Sequence, residues 1–354
     1  MSNPVEKIQS IAKRHPALKR RVVTFGKLAV LALVAWFIHG ALRHGWDSLG
    51  EHIRAGRWSP ASLRWPWLAL AAVLYSLGQL PCGLFWSRIL AALGQRVPLG
   101  AVIRAFYIGH LGKYVPGKAM VVVMRTSMLA AHGAKPAPAA VSVFYETFTM
   151  MAVGALLSAI VLVVKYPERT DWLWGAVLMV GITGLPTFPP VFEQIVRRLR
   201  ASKRDEAEAS HEMRRIGPAT FLAGWGLMTI AWILMGLSIW ATARGAGFTS
   251  PPTASNWPLG EEWTICTIAA ALSVVIGFLS FIPGGFGVRD GVLFSVLGWL
   301  YDDAAAMVTA VLVRLLWLVA ELAVSIILYR LRPPPAGDAS SLDPASVSST
   351  PASP

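Results

Sequence analysis

The sequence predicts an all-α, polytopic membrane helix bundle with about seven or eight spans and two segments that are Pro-Gly-broken or re-entrant. Three observations carry that expectation. Of 354 residues, 55% are hydrophobic and 14% charged, against roughly 25% charged in a soluble domain. The apolar residues lie in runs close to the roughly 20 that a helix needs to cross the hydrocarbon. Two of those runs are interrupted by Pro-Gly with charged residues alongside.

Residues 1–21 are polar and carry Lys7, Lys13, Arg14, Lys19, Arg20 and Arg21, and an apolar run follows over 22–42. That run is near full spanning length and no small-residue cleavage pattern follows it, which favours a retained first helix over a signal peptide. Further spans are expected at 65–90, 141–164, 172–190, 218–243, 264–281 and 304–328, with Trp65, Trp67, Trp172, Trp174, Trp257 and Trp263 near their ends as an interfacial belt.

The formal charge of +13 would point to nucleic acid in a soluble chain. Here much of it sits in the N-terminus and in the loop between Pro190 and Gly217, with Arg197, Arg198, Arg200, Lys203, Arg204, Arg214 and Arg215. Excess Lys and Arg marks a cytoplasmic side, so both regions are expected there, in the cytoplasmic (plasma or inner) membrane. The spans alternate consistently if residues 101–124 form a hairpin that returns to its own side. Residues 286–300 are short for a crossing and long for a loop; if they cross, the C-terminus is cytoplasmic. The expected organisation is a basic N-terminus at 1–21, a transmembrane domain at 22–331, and a Pro/Ser/Ala-rich disordered tail at 332–354.

Cys82 and Cys266 lie in apolar runs and build neither a disulfide framework nor a zinc site. No phosphate-binding loop, Gly-x-Ser-x-Gly element or complete zinc-protease motif is present; His211-Glu212 lacks the second His. No cofactor, metal or catalytic residue is therefore expected.

The first interruption holds Gly112, Lys113, Pro116, Gly117 and Lys118; the second holds Pro283, Gly284, Gly285, Gly287, Arg289 and Asp290. Proline removes a donor and glycine loosens the chain, so both segments should break. Freed backbone groups in a bilayer must be buried in protein or line a wet cavity, and broken helices there often form binding sites. The short helix expected after Pro283 would present its N-terminal amides to an anion.

Ionisable residues cluster around these breaks. Lys113, Lys118, Arg125, Arg289 and Arg314 face Glu146, Asp290 and Glu321 in the count, which makes the expected cavity net cationic and suited to a phosphate-bearing head group. Arg314 and Glu321 share a helix face about 10 Å apart, which fits a common cavity better than a direct salt bridge. Bland readings stand beside these. Lys113, Lys118 and Arg125 at an interface would only snorkel; Arg289 and Asp290 would pair locally to fix a turn; Glu146 would sit at the membrane surface; His110 would be a packed histidine rather than a proton relay. Each break is followed about 30 residues later by a charged spanning helix, which points to two related halves. Four crossings counted between the breaks would orient them alike, and an inverted pair needs one segment assigned differently.

The runs GHLGKYVPGKAMVVVMR, AAVSVFYETF, FLSFIPGGFGVRDGVLF and VLVRLLWLVAEL, in this order, resemble the lysylphosphatidylglycerol synthase transmembrane-region family of flippase-like membrane proteins. The similarity extends from about Leu63 to Leu331. It implies movement of polar lipids, notably aminoacylated phosphatidylglycerol, with the lipid made by a separate soluble domain for which this chain has no room. By position, the family's Gly-basic-aromatic-aliphatic-Pro-Gly-Lys element falls on Gly112 to Lys118, its following Arg on Arg125, its Glu on Glu146, its Pro-Gly-Gly-x-Gly-Val-Arg-acid element on Pro283 to Asp290, and its late Arg on Arg314. Ala119 and Met120 depart from the usual aliphatic and aromatic pair, and Asp290 stands where Glu is commoner.

The expected function is translocation or handling of a polar, anionic or aminoacylated phospholipid or related lipid. Lys113, Lys118, Arg125 and Arg314 would contact phosphate, with Glu146 and Glu321 balancing their charge. The expected partners are membrane lipids, with a homo-oligomer or a separate lipid-synthesising enzyme also compatible, and no nucleic acid. A small-solute or ion-coupled transporter and an intramembrane lipid-modifying enzyme are the alternatives.

Overall fold

The computed structural model describes residues 50, 53–56, 58–114, 119–165, 170–201, 216–249, 259–280, 285 and 287–331. The expected first helix at 22–42, the basic loop around 203–215 and the C-terminal tail lie outside them. Ten α-helices follow in order: α1 (Trp65–Ala92), α2 (Leu99–His110), α3 (Ala119–Ala130), α4 (Pro136–Lys165), α5 (Thr170–Gly184), α6 (Pro189–Ala201), α7 (Pro218–Gly245), α8 (Leu259–Leu279), α9 (Val288–Leu297) and α10 (Asp303–Arg330). No strand occurs among the described residues. Among the described residues five helices are long and apolar enough to cross a bilayer, namely α1, α4, α7, α8 and α10. The chain is an all-α multi-pass membrane protein.

Helix starts follow local chemistry. Pro136 and Pro218 open α4 and α7, where a missing N–H costs nothing. The Asp302 carboxylate accepts from the Ala305 amide and starts α10.

The centre of the bundle is the antiparallel pair α1 and α7. Small residues let their backbones approach: Gly78 meets Met235 and Ala231, Gly224 meets Phe85, and Gly245 meets Leu68. Gly154 of α4 sits against the Trp232 ring, whose Nε1 donates to the Met150 carbonyl at 3.0 Å. With no hydrophobic drive between helices in lipid, such close packing and interhelical hydrogen bonds hold the bundle.

Helices α2 and α3 have twelve residues each, about 18 Å, and are too short to cross. They form an antiparallel hairpin in which Gly109 faces Arg125 and Gly112 faces the backbone of Val121. Its base lies where α1 and α10 end, since Arg104 Nε donates to the Leu328 carbonyl at 2.9 Å. The Lys135 amide donates to Gln95 at 2.8 Å at the same end.

Helices α8 and α9 make a second hairpin. At its base the Tyr301 hydroxyl donates to Glu262 at 2.8 Å, and Arg244 at the end of α7 pairs with Glu262 at 2.7 Å. At its tip Gly277 packs on Gly285 and the Arg289 Cβ. This base lies where α1 and α10 begin, beside the cluster of Trp58, Ala246 and Val308. The two hairpins therefore enter from opposite ends of the bundle.

That geometry orients the two breaks, while the expected span at 264–281 keeps the length and composition to cross. α8, with 21 residues and about 31 Å long, pairs with the shorter returning α9, and the tip meets α10 where Asp290 holds Arg314. Helices α4, α5, α6 and α7 lie between the two hairpins among the described residues, and the opposite placement of the two bases inverts the pair.

Candidate functional site

The tips meet at two heights on one face of α10. Arg314 lies about 16 Å from the start of that helix and Glu321 about 10 Å further on. Hairpin one reaches Glu321; hairpin two reaches Arg314.

Around Glu321, three donors converge on a carboxylate whose side chain is 4% exposed. Lys113 Nζ lies 2.5 Å from Oε1, the Tyr75 hydroxyl also donates to Oε1, and the Tyr114 hydroxyl donates to Oε2 at 2.9 Å. His110 Nε2 sits 2.9 Å from Lys113 Nζ and 3.7 Å from Glu321 Oε1. The short 3-10 turn Leu111–Tyr114 that follows α2 aims Lys113 and Tyr114 at this point.

At the second tip, Gly285 and Gly287 take φ of +67° and +76°, conformations that a side chain would strain. The Asp290 carboxylate accepts from the Gly287 amide at 3.1 Å and so caps α9. Both Asp290 oxygens also accept from Arg314 Nη1. Asp290 thus reaches across to α10 rather than pairing with its neighbour. Arg289 lies over the Trp317 ring at 4.8 Å and has no carboxylate partner among the described residues.

Aromatic stacking joins the two tips. The Tyr75 and Trp317 rings lie 4.3 Å apart at 14°, and Trp317 Nε1 donates to Ser238 at 3.0 Å. Arg289 and Arg314 also lie within electrostatic reach of Lys113 and Tyr114.

Arg125 and Glu146 form a third group, an ion pair at 2.9 Å with both side chains 3% exposed. The guanidinium covers Phe106 at 4.1 Å and Trp86 at 5.2 Å. Its Nε has no hydrogen-bond partner among the described residues. Trp86 donates to Ser142 at 2.8 Å, which fixes one wall of the Arg125 pocket. Phe106 stacks toward His110 and connects this pair to the first tip.

Several sequence expectations change here. Lys113 and Arg125 are engaged inside the bundle rather than snorkelling, and Glu146 is buried rather than superficial. Gly112 serves close backbone approach: a Cβ there would lie 2.8 Å from the Val121 nitrogen. His110 sits beside Lys113, three residues along its own sequence, and 3.7 Å from the distant Glu321. The acids do more than balance a cationic cavity, since Lys113, Arg125 and Arg314 each already hold one. Arg314 and Glu321 serve one site through different partners, as their spacing requires. Lys118, Pro116, Gly117, Pro283 and Gly284 lie outside the described residues.

Tyr75, Tyr114 and Trp317 were missed because aromatic residues in spans carry no polar signal of their own. The base cluster of Arg244, Glu262 and Tyr301 was missed because a Glu at a span end reads as interfacial. Among the described residues no group of three His, Cys, Asp or Glu comes together to hold a metal ion.

The family model for the lysylphosphatidylglycerol synthase TM region matches residues 24–325. The chain belongs to that family. Every residue of the two hairpin tips, from Tyr75 to Glu321, falls within the stretch matched by the lysylphosphatidylglycerol synthase TM region. Membership ties the chain to membrane-lipid biochemistry. Comparison with curated proteins gives no match.

Proposed function

We propose that the protein translocates a polar lipid across the cytoplasmic membrane, binding the phosphate of its head group between the hairpin tips while the acyl chains stay in lipid. The carrying observation is that two hairpins from opposite ends close on one charged cluster in which Arg289, stacked on Trp317, holds no carboxylate among the described residues. Charges inside a bilayer are costly, and a guanidinium forms paired hydrogen bonds with phosphate oxygens. The lipid class is anionic or aminoacylated phospholipid or a close relative. The protein is a carrier rather than an enzyme. Its N-terminus and basic loop face the cytoplasm, where Lys and Arg accumulate.

Opposed hairpins suit alternating access, because each tip is held by side chains that can exchange an internal partner for a ligand. The test is reconstitution in liposomes with labelled phosphatidylglycerol and its lysylated form, comparing wild type with Arg314→Ala. Movement that depends on Arg314 supports the reading. Equal movement in both proteins rejects Arg314 as part of the path, and movement of neither lipid rejects these lipids as cargo.

A further inference from the structure

Four carboxylates form ion pairs within the bundle among the described residues, and they do not have the same partners. Glu146, Glu262 and Asp290 each face an arginine. A guanidinium stays charged at every accessible pH, so each of those pairs keeps a permanent cation. Glu321 differs. Its cationic partner is Lys113, a compact ammonium on a flexible stem, and the rest of its shell is neutral or switchable: Tyr75 from α1, and Tyr114 and His110 from the first hairpin. Arg289 from α9 faces Tyr75, Lys113 and Tyr114, and Arg314 on α10 itself lies within reach of Lys113 and Tyr114.

The neutral groups of this shell can exchange donor and acceptor roles without moving their rings. Two phenol hydroxyls can rotate to accept from a protonated carboxyl as readily as they donate to an ionised one. His110 touches both members of the pair and is about one-fifth exposed, as is Lys113, while Glu321 is covered. A proton entering from outside the cluster meets the imidazole before it meets the covered carboxylate.

We propose that Glu321 is a proton-binding site whose protonation releases Lys113 to the head-group phosphate, so that lipid movement is coupled to a proton. This rests on the lipid reading above for its cargo, but not for its proton. The step balances simply. One proton from water passes through the His110 ring to a Glu321 oxygen, the carboxylate becomes a carboxylic acid, and the Lys113–Glu321 ion pair ends. Lys113 stays an ammonium and takes a phosphate oxygen as its new acceptor. When the lipid leaves, Lys113 reclaims the oxygen and the proton departs. Proton and anionic head group travel together.

The experiment has a cargo-free arm in phosphatidylcholine vesicles and a cargo arm in phosphatidylglycerol vesicles, both on the full chain. Infrared difference spectra on acidification from about pH 8 to about pH 5 are expected to show a new carboxylic-acid carbonyl band. That band should vanish in Glu321→Gln and survive in Asp303→Asn, which changes an exposed carboxylate at the start of α10. Lys113→Arg supplies a second variant, expected to suppress the band by holding Glu321 ionised. A band unchanged in Glu321→Gln, or absent from wild type, overturns the proposal. In the cargo arm, an imposed pH difference of one unit should change the initial rate of labelled phosphatidylglycerol movement by up to about tenfold, the factor by which the acid-to-carboxylate ratio changes. Whatever movement Glu321→Gln retains should not respond. Lipid movement indifferent to the gradient overturns the coupling and leaves the lipid reading intact. A titrating Glu321 with no lipid movement leaves the proton site intact and overturns the cargo.

Discussion

The Tyr75 ring lies flat on the Trp317 indole at 4.3 Å, and this couple bridges the two halves of the site. On one side the Tyr75 hydroxyl holds Glu321, which the first hairpin reaches through Lys113. On the other, Trp317 carries the Arg289 guanidinium of the second hairpin at 4.8 Å. A shift of either tip is thus felt by the other through packed rings, whose interiors transmit displacement because they are dense.

Trp317→Leu removes the stack, the cation–π seat of Arg289 and the bond to Ser238 together. Stacking is worth about 0.5–1.5 kcal/mol and a desolvated cation–π contact about 2 kcal/mol. Lipid movement is expected to fall by roughly an order of magnitude or more, since 1.4 kcal/mol is a factor of ten. Trp317→Phe keeps a ring under Arg289 and should retain more. The vesicle assay checks both; equal loss in the two variants would show that the Ser238 bond, not the rings, matters.

The Arg125–Glu146 pair is a stability prediction. Breaking a buried pair from one side leaves an uncompensated charge and costs about 3–5 kcal/mol. Glu146→Gln and Arg125→Met should each lower the denaturation midpoint of the detergent-solubilised protein steeply. The double variant should recover much of the loss, because no charge is left buried. A double variant as unstable as the sum of the two singles would show that the pair is uncoupled.

Gly112→Ala places a Cβ 2.8 Å from the Val121 nitrogen, a backbone atom that cannot step aside. The hairpin arms must part, and Lys113 then leaves Glu321. Lipid movement should be lost with a modest fall in stability. Gly226→Ala, where an added Cβ meets nothing within 4 Å, serves as the comparison. Inside α7 it should be neutral, or stabilising by up to about 1 kcal/mol.

The opposed hairpins are checked by labelling. Cys82 and Cys266 are buried, so their background with an impermeant maleimide is low. Arg96→Cys and Ala137→Cys lie at the base of the first hairpin, and Ala61→Cys and Asp303→Cys at the base of the second; all four positions are exposed. The first two should label from one side of sealed vesicles and the last two from the other. Labelling of all four from one side would contradict the inverted arrangement.

Much of the site was legible because charge and proline are rare in apolar runs. Arg125, Glu146, Arg289, Asp290, Arg314 and Glu321 stood out on that ground, and seven-residue spacing put Arg314 and Glu321 on one face. Their partners were not legible. Lys113 and Glu321 are 208 residues apart, and Tyr75 is 246 from the glutamate it holds. Periodicity reports which face of a helix is apolar and nothing about which helix it meets. The fold had the same limit at α8, because 18 apolar residues read alike whether the helix leaves the membrane or turns back at Gly285. Gly112 showed a related limit, since sequence offers flexibility and close approach equally as reasons for a glycine.

The most direct measurement places labelled phosphatidylglycerol and a trapped soluble phosphate monoester in the same sealed vesicles with the wild-type protein. The account predicts that the lipid crosses between leaflets while the soluble phosphate stays inside, and that Arg289→Ala slows the lipid. Release of the soluble phosphate with the lipid left in place would contradict it and make the protein a small-solute transporter.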